Sequence, residues 1–361
     1  MEPSPAGTAA AEEISPEELG LAARNHGMPL ETLRDDITPP GLHYLLIHYD
    51  IPAVDPEAYR LEVAGDVERP LTLSLDELRR RERRALPVTF ECAGNGRARL
   101  SPRPISQPWL SEAVGTAEWG GTPLAPLLRE AGVRDSAVEV LFGGLDRGVE
   151  GGVEQAYERS LPLAEALGEG ALLAYEMNGA PLPAQHGFPV RLLVPGWYGM
   201  TNVKWLSRIE VLAEPHDGYQ NAVAYRLYDA DGRAGEPVTR MMPRSLMAPP
   251  GVPDFMSRVR HLAPGPCVLQ GRAWSGWAAI EGVEVSTDGG GSWAPARLDP
   301  PLSTAAWCRW SFDWHAGEGT HELSSRATDA AGNIQPLEPE WNLKGYANNA
   351  VERIPVVVGR A

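Results

Sequence analysis

Residues 89–97, which read TFECAGNGR, place a cysteine where a strand pattern gives way to a turn. Val88, Phe90 and Cys92 alternate with polar residues, and this period of two predicts a strand that carries the sulfur on the same face as two large apolar side chains. The glycines that follow permit positive φ angles and close backbone approach. Arg97 comes next, and an arginine beside a thiol favours the thiolate, the nucleophilic and metal-binding form of cysteine.

Two interpretations of Cys92 are open from this stretch alone. A lone cysteine on a strand is most often a small hydrophobic residue of the core. A soft sulfur donor beside an arginine and a tight glycine turn also suits a redox-active transition metal. Residues elsewhere in the chain are needed to decide between the two.

Composition restricts the class of protein. The net charge of −16 over 361 residues argues against binding to nucleic acids and to anionic membrane surfaces. No stretch approaches ~18 consecutive apolar residues, so the sequence predicts no membrane-spanning helix. The three cysteines, Cys92, Cys267 and Cys308, are far apart, as expected in a reducing compartment. The N-terminus has no signal-peptide pattern, so we expect a cytoplasmic protein, or a periplasmic one if a leader was removed.

The sequence predicts three parts. Residues 1–24 are expected to form an N-terminal extension, disordered at first and then helical from a capping box that begins at Ser15. Residues 25–238 mix helices and strands without regular alternation, which favours an α+β domain over a doubly wound nucleotide-binding fold. Residues 239–361 contain many short strands and are predicted to form an immunoglobulin-like sandwich. A segment with several prolines, residues 237–252, is predicted to link the two domains.

Individual elements follow from local signals. A second capping box at Ser74 predicts a helix that ends in the basic run 79–84, and another helix is predicted over 123–131, where Gly132 ends it. Strands are predicted over 58–66, 138–142, 171–176, 188–194, 203–212, 266–274, 280–287, 292–298, 306–314, 319–328 and 353–359. Seven of the eleven tryptophans fall in the sandwich. Burial in its core and in a subunit contact explains them better than carbohydrate binding, because large aromatic side chains dominate such burial.

Several segments resemble the sulfite oxidase family. The cysteine stretch resembles the family's molybdenum-ligand motif, and WLSEAVGTAEW at 109–119 resembles the block that follows it. The run LAYEMNGAPLPAQHGFPVRLLVPG at 173–196, which continues into VKWL at 203–206, is close to a family signature. AWSG at 273–276 resembles part of the family's dimerisation domain. The resemblance extends from residue 25 to 360, nearly the whole chain.

The resemblance implies a fold, a cofactor and a set of site residues. It implies an α+β molybdopterin-binding domain followed by an all-β dimerisation domain. It also implies a molybdenum–molybdopterin cofactor, with Cys92 as the protein ligand to the metal; tungsten stays an alternative metal. The positions that match cofactor-binding residues are Asn25, His48, His186, Arg191 and Lys204. The positions that match the substrate pocket, besides Cys92, are Arg97, Trp109, Tyr225 and Lys344.

The chain departs from the family pattern at three positions in or near the matching motifs. Leu46 stands where sulfite-oxidising members carry an arginine, and Lys344 replaces another arginine. Lysine keeps the charge but loses the bidentate fork of a guanidinium. Gly96 replaces a common second arginine of the cysteine motif. Loss of one charge-assisted contact costs about 1.5–3 kcal/mol, or roughly 10- to 150-fold in a binding constant.

Three functions remain open. The resemblance implies two-electron oxygen-atom transfer to or from a small oxyanion or oxide, most directly sulfite oxidation, in a homodimer without haem that passes electrons to a separate acceptor such as a cytochrome. Leu46 favours an alternative, a reductase of S-oxides, N-oxides or nitrate. A non-catalytic binding protein with a recognition sandwich is the third interpretation, supported by RATDAAGNIQ at 326–335. That interpretation leaves Cys92, Arg191 and Lys204 unexplained.

Overall fold

The computed structural model describes residues 10–11 and 14–359. Over that part of the chain the helices are few and short, and no helix is long and apolar enough to cross a membrane. The α-helices are α1 (Pro16–Arg24), α2 (Leu75–Arg79), α3 (Leu124–Ala131) and α4 (Leu163–Ala166). Single turns of 3₁₀ helix occur at Leu30–Arg34, Arg97–Arg99, Ala184–His186 and Gly199–Thr201, and a π-helix occurs at Gln220–Ala224.

The strands fall into an N-terminal and a C-terminal group. The N-terminal strands are β1 (Ala10–Ala11), β2 (Arg60–Gly65), β3 (Leu71–Ser74), β4 (Arg84–Glu91), β5 (Arg103–Pro104), β6 (Val114–Pro123), β7 (Glu139–Glu150), β8 (Val153–Pro162), β9 (Leu172–Met177), β10 (Ala180–Pro181), β11 (Arg191–Leu193), β12 (Leu206–Leu212), β13 (Arg226–Tyr228) and β14 (Ala234–Pro237). The C-terminal strands are β15 (Arg244–Met247), β16 (Val252–Pro253), β17 (Arg260–Leu262), β18 (Gly265–Trp274), β19 (Ile280–Ser286), β20 (Ala294–Pro295), β21 (Arg297–Leu298), β22 (Cys308–Ala316), β23 (Gly319–Asp329) and β24 (Ile354–Val358).

The N-terminal strands form a mixed α+β arrangement. One sheet has the order β10-β9-β6-β4, with β11 paired to β9, and a second has the order β3-β2-β12-β7-β8, in which β12 runs parallel to β2. The helices pack against these sheets through apolar side chains such as Leu124, Leu127 and Leu128 of α3. The predicted α+β class is confirmed.

Strand β4 carries Cys92 into the interior. It pairs antiparallel with β6 along its whole length, and the ladder continues as the Cys92 N–H donates to the Ala113 carbonyl at 2.9 Å. Val88 and Phe90 are buried on the face predicted from their alternation. Thr89 and Glu91, on the opposite face, are buried too, because the C-terminal domain covers that face of the sheet.

The C-terminal strands form the predicted sandwich. One sheet has the order β15-β18-β22-β21 and the other β16-β17-β24-β23-β19-β20. Their inner faces share an apolar core around Trp310, Leu323 and Val356. Trp274 and Trp307 instead pack into the core of the N-terminal domain, so these two tryptophans join the domains.

Helix α2 ends at Arg79, inside the predicted basic run, and Arg84 at the end of that run begins strand β4. Two other details of the sequence prediction are wrong. Residues 237–252 are not a plain linker, because Arg244–Met247 is a fully buried strand paired with β18. The strand predicted over 292–298 is divided into β20 and β21.

The predicted helix starts are confirmed. Ser15 and Ser74 each form a capping box, and Gly132 ends α3 in the left-handed conformation, with φ of 72°. Most of the N-terminal segment predicted to be disordered lies outside the described residues. The domain boundaries at residues 24 and 238 stay predictions.

Candidate active site

A cavity lined by Cys92 has about 670 Å³ of open space, including the part that is continuous with solvent. Its lining includes the loop 43–48, the end of β4, the stretch from His186 to Lys204, and Tyr225 after the π-helix. Six of the ten predicted site residues meet in this lining. They are His48, Cys92, His186, Arg191, Lys204 and Tyr225.

The Cys92 thiol experiences opposing influences. Burial raises the pKa of Cys92, while the positive charge of Arg97 and a backbone hydrogen bond at Gly94 work in the opposite direction. Burial outweighs both, and the metal-bound thiolate stays a prediction. Among the described residues, the Trp109 N–H has no acceptor at hydrogen-bond distance. A bound metal would deprotonate such a thiol, because a coordinating thiol loses its proton outright.

Arg191 is a buried cation with no carboxylate partner in the described part of the chain. Two guanidinium nitrogens donate to the carbonyls of His186 and Asn202, both at 3.1 Å, and Nε has no acceptor. The rings of Phe90 and Trp119 lie within 5.1 Å of the guanidinium carbon. Burial lowers the pKa of Arg191 to about 10. An arginine this buried requires an anion, and residues 14–359 supply none at ion-pair distance.

Lys204 adds a second cation to the cavity. Its ammonium group donates to the carbonyls of Leu46 at 2.8 Å and Gln185 at 3.2 Å. Burial and the charge of Arg191 lower the pKa of Lys204 to about 7, although Asp146 opposes the shift. The cavity therefore carries a positive charge that is only partly compensated by protein groups.

Two histidines in the cavity are neutral. Burial lowers the pKa of His186 to about 2, and His43, Arg191 and Lys204 add to the shift. His43 was not predicted; burial lowers its pKa to about 4, and its Nε2 has no hydrogen-bond partner in the part of the chain that the structure describes. His43 Nδ1 lies 3.0 Å from the Tyr44 carbonyl oxygen, which fixes the ring orientation.

Asp146 is a second cavity residue that the sequence prediction missed. Strand β7 pairs irregularly with β8 between Gly143 and Arg147, and such a bulge redirects a side chain from the sheet face. The Asp146 carboxyl is buried, with one oxygen unpartnered, and burial raises its pKa to about 6. The adjacent pair Gly143-Gly144 was the signal available in the sequence, because glycine inside a strand often marks a bulge.

His48 is held by a carboxylate at the cavity edge. Its Nε2 lies 2.9 Å from Oε2 of Glu150, and the same oxygen accepts hydrogen bonds from Tyr49 at 2.9 Å and Gln220 at 2.7 Å. These bonds lower the pKa of Glu150 to about 2 despite its partial burial. Glu150 thus fixes His48 and the start of the π-helix, Gln220–Ala224, that precedes Tyr225.

The structure does not bring the other four predicted residues into the cavity lining. Arg97 donates to the Lys344 carbonyl at 2.8 Å and lies over the Tyr346 ring at 5.0 Å. The Lys344 ammonium donates to the Val223 carbonyl at 2.7 Å. Both cations are therefore hydrogen-bonded to backbone carbonyls behind Tyr225. The Tyr225 ring packs against the Tyr346 ring, with the ring centroids 5.3 Å apart.

Trp109 and Asn25 also lie outside the cavity lining. Trp109 is buried behind Cys92. Asn25 uses its side chain within the protein: it donates to Leu21 and Gln107, and it accepts from the Ile47 N–H at 2.7 Å. Asn25 thereby ends α1 and orders the loop that leads to His48, and its predicted cofactor contact stays a prediction.

The cavity residues fit the cofactor that the resemblance implies. Molybdopterin carries a phosphate, and Arg191 and Lys204 are cations without a sufficient anion partner. The unpartnered atoms His43 Nε2, Arg191 Nε and Asp146 Oδ1 are buried polar groups that a polar ligand would satisfy. Cys92 supplies the soft donor that suits molybdenum.

Lys204 predicts a pH dependence for the cofactor-free protein. Below its folded pKa, Lys204 is protonated in both the folded and the unfolded state, so its contribution does not change. Between about pH 7 and pH 10.5 the unfolded state binds a proton that the folded state lacks, so the free energy of unfolding rises with pH. The slope from this group is at most about 1.4 kcal/mol per pH unit.

Denaturant unfolding at about pH 7.5 and pH 9.5 tests this dependence. The cofactor-free Lys204→Met variant should lose the part of the slope that Lys204 contributes. The cofactor-bound protein should also show a smaller slope, because a nearby phosphate favours the charged ammonium. An unchanged slope in Lys204→Met would contradict the assignment.

Two family models match this chain. The model described as "Oxidoreductase molybdopterin binding domain" matches residues 48–220. The model described as "Mo-co oxidoreductase dimerisation domain" matches residues 252–359. The first range contains five of the six predicted residues of the cavity lining, all but Tyr225. The second range corresponds to most of the sandwich.

Curated proteins similar to this chain include sulfite oxidases. Human mitochondrial sulfite oxidase is 35% identical, over 91% of this chain and 63% of its own length. Chicken sulfite oxidase is 36% identical, over 90% of this chain and 74% of its own length. NADH nitrate reductase 1 of Arabidopsis thaliana is 33% identical, over 88% of this chain but 38% of its own length. The chain thus spans less than two thirds of the human relative.

A solved structure shows the same architecture. The sulfane dehydrogenase SoxCD from Paracoccus pantotrophus aligns with a TM-score of 0.79 and 29% identity, over 93% of this chain and 86% of that chain. The alignment includes both the α+β part and the sandwich. The predicted combination of the two domains is therefore confirmed.

Proposed function

Because this chain belongs to the sulfite oxidase family of molybdopterin-dependent enzymes, we propose that it is a molybdenum-cofactor oxidoreductase that transfers an oxygen atom with two electrons. The observation that carries the proposal is the meeting of the Cys92 thiol with Arg191, Lys204, His186 and His48 in one cavity. A thiol donor and uncompensated cations in a single site suit a metal cofactor that bears a phosphate.

The residues of the cavity have distinct roles in this proposal. Arg191 and Lys204 hold the anionic part of the cofactor through charge-assisted hydrogen bonds. His186 and His43 are neutral and can each donate one hydrogen bond and accept another. The Cys92 thiolate binds the metal, and the bound cofactor supplies the redox chemistry that amino-acid side chains lack.

Tyr225 is the cavity residue placed to contact the substrate. Burial raises the pKa of Tyr225 well above its usual value, so its hydroxyl keeps its proton at neutral pH and can donate a hydrogen bond to a substrate oxygen. Arg97 and Lys344 lie behind Tyr225 and contribute positive charge from there. A small oxyanion or oxide is the substrate class that fits this arrangement.

Sulfite is the first substrate that we propose. The sulfite oxidases among the relatives support it, because they match over most of this chain. An oxide-reducing activity, toward S-oxides, N-oxides or nitrate, is the second candidate. It is favoured by Leu46, which gives the cavity an apolar side chain, and by the engagement of the Lys344 ammonium with backbone carbonyls.

Turnover assays separate the two candidates. Sulfite with ferricyanide as the electron acceptor tests the oxidative direction, and dimethyl sulfoxide, trimethylamine N-oxide and nitrate with reduced viologen test the reductive direction. Sulfite turnover that saturates at micromolar concentrations would support the first candidate. Turnover with an oxide and none with sulfite would support the second.

Leu46→Arg should strengthen sulfite binding if the substrate site matches that of sulfite oxidases. Leu46 is one of the residues that line the cavity, and its backbone carbonyl, which accepts a hydrogen bond from Lys204, is unchanged by the substitution. One added charge-assisted contact contributes about 1.5–3 kcal/mol, so the KM for sulfite should fall roughly 10- to 150-fold. Steady-state kinetics measure the change.

A matched control for this substitution is Leu42→Arg. Leu42 belongs to the same segment but is exposed and does not line the cavity. Leu42→Arg adds the same charge without adding a contact to the substrate, so the KM of this variant for sulfite should stay near that of the unmodified protein. An unchanged or higher KM in Leu46→Arg would show that residue 46 does not face the substrate.

The assembly and the electron partner extend the proposal. The match to a dimerisation domain supports a homodimer. A separate protein, such as a cytochrome, would exchange electrons with the cofactor. We also propose the boundaries suggested by the sequence, with the molybdopterin-binding domain at 25–238 and the dimerisation domain at 239–361.

A further inference from the structure

Glu91, the residue before Cys92, is a buried carboxylate at which hydrogen bonds from two domains converge. Its side chain is 2% exposed and forms an ion pair with Arg244, which is equally buried. Oε1 accepts from Arg244 at 2.9 Å and from Asn95 at 3.1 Å, and Oε2 accepts from the Trp274 indole at 2.9 Å. Arg244 and Trp274 belong to the sandwich, so Glu91 ties the end of β4 to the C-terminal domain.

The chemistry of this contact requires a carboxylate. Three donors converge on Glu91, and an ionised carboxylate is a pure acceptor with two oxygens. An amide at this position would direct its own N–H groups at one of these donors. The buried Arg244 also needs the negative charge, because an unpaired buried cation is strongly unfavourable. The Arg244 guanidinium donates as well to the Asn348 carbonyl, at 2.9 Å.

A second set of contacts holds the turn that follows Cys92. The Ala347 N–H donates to the Ala93 carbonyl at 2.8 Å, and the Asn348 side chain donates to the Gly96 carbonyl at 2.8 Å. The Arg97 guanidinium donates back to the Lys344 carbonyl. The segment 344–348 therefore contacts the turn 93–97 at three points.

The close approach depends on glycine. Gly96 has a φ of 89°, which an L-residue side chain rarely adopts, and a Cβ there would lie 3.0 Å from Asn348 atoms. A Cβ on Gly345 would lie 2.7 Å from the Arg97 side chain. Both backbones can thus pack at a distance that other residues would not allow.

We infer that the C-terminal domain positions the Cys92 thiol, through Arg244 and Trp274 on the preceding residue and through Asn348 on the following turn. Arg244 and Asn348 are positioning residues, which act on the metal site through Glu91 and Gly96. The sandwich then has a role in the metal site in addition to its role in subunit contact. The inference rests on the proposed function of Cys92 as the metal ligand.

The test compares two buried arginines of the sandwich in the cofactor-loaded, full-length protein. Arg244→Met removes the contact to Glu91. Arg272→Met is the matched control, because Arg272 is also buried, with 1% exposure. Its guanidinium donates to the Leu33 carbonyl at 2.9 Å and pairs with Asp36 at 2.8 Å, and neither contact involves Glu91 or the turn 93–97. Molybdenum content, thermal unfolding and the electron paramagnetic resonance spectrum of the partly reduced metal are measured for both variants.

We expect both variants to unfold at lowered temperatures, with the larger decrease in Arg244→Met, because Glu91 is 2% exposed whereas Asp36 is 57% exposed, and we expect their spectra to differ. Arg244→Met should shift the principal g values, because the overlap of the cysteine sulfur with the metal depends on the orientation of the thiolate, whereas Arg272→Met should give the unmodified spectrum. Asn348→Ala, which removes the side-chain hydrogen bonds to the Gly96 carbonyl and from the Ala350 N–H, is the milder probe if Arg244→Met does not fold, and it should shift the spectrum in the same way.

Other outcomes would overturn the inference. Identical spectra for the unmodified protein and for the folded variants at residues 244 and 348 would show that these residues do not position the thiol. Equal spectral shifts in Arg244→Met and Arg272→Met would show that the effect is general destabilisation. If the unmodified protein contained no molybdenum after expression in a host that supplies the cofactor, that result would overturn the proposed function itself, and the inference with it.

Discussion

Cys92→Ser is expected to reduce turnover below about 0.1% of the unmodified enzyme, which corresponds to a rise of about 4 kcal/mol in the activation free energy. A hydroxyl is a hard, weakly acidic donor and cannot replace a soft thiolate at a redox-active metal. The protein should still fold, because serine is close in size to cysteine and the backbone hydrogen bond from residue 92 to Ala113 remains. Turnover with the identified substrate, per protein chain, measures the effect.

Cys267→Ser is the control for this substitution. Cys267 lies on β18 of the sandwich, opposite Trp314 on β22, and does not line the cavity. Its replacement removes a thiol from the same protein without touching the site, so turnover should be unchanged. Activity of Cys92→Ser within tenfold of the unmodified enzyme would refute the ligand role of Cys92.

Arg191→Met is expected to lower the cofactor content at least about tenfold and to stabilise the cofactor-free protein. The guanidinium is buried without a carboxylate, and burial lowers its pKa to about 10. Replacement of an uncompensated buried charge by an apolar side chain should raise the free energy of unfolding, on the order of 1–3 kcal/mol. The same replacement removes a charge-assisted donor to the phosphate, so affinity for the cofactor falls.

Arg272→Met is the control, and we expect the opposite change in the stability of the protein. Arg272 is equally buried but is paired with Asp36 and bonded to two carbonyls, so its loss should destabilise the protein and leave the cofactor content per folded chain unchanged. Molybdenum analysis and denaturant unfolding of cofactor-free samples measure both quantities. Full cofactor content in Arg191→Met would contradict a cofactor-binding role for this residue.

The parts of the site that the sequence predicted lie in continuous motifs. Cys92 stands at the end of a recognisable strand, and Arg191 is a charged residue in an apolar strand that needs an anionic partner. His186, Arg191 and Lys204 share one long segment, so the resemblance placed them together. In each case the information lay within one continuous segment of sequence. The cavity lining contains all four of these residues.

The parts that were missed depend on contacts between distant segments. Asp146 enters the cavity because of a bulge in β7, and His43 because its loop lies against His186, with ring centroids 5.6 Å apart. The ion pair of Glu91 was missed, because the sandwich covers that face of β4 and supplies Arg244. The segment 237–252, rich in proline, contains a buried strand because Arg244–Met247 pairs with β18.

Molybdenum analysis of the purified protein, together with pterin analysis after expression in a host that supplies the cofactor, tests the central claim most directly. We predict about one molybdenum and one molybdopterin per chain in the unmodified protein, and molybdopterin without firmly held molybdenum in Cys92→Ser, since the metal would lose its thiolate ligand. Absence of both from the unmodified protein under those conditions would contradict the assignment of the cavity as a molybdenum-cofactor site.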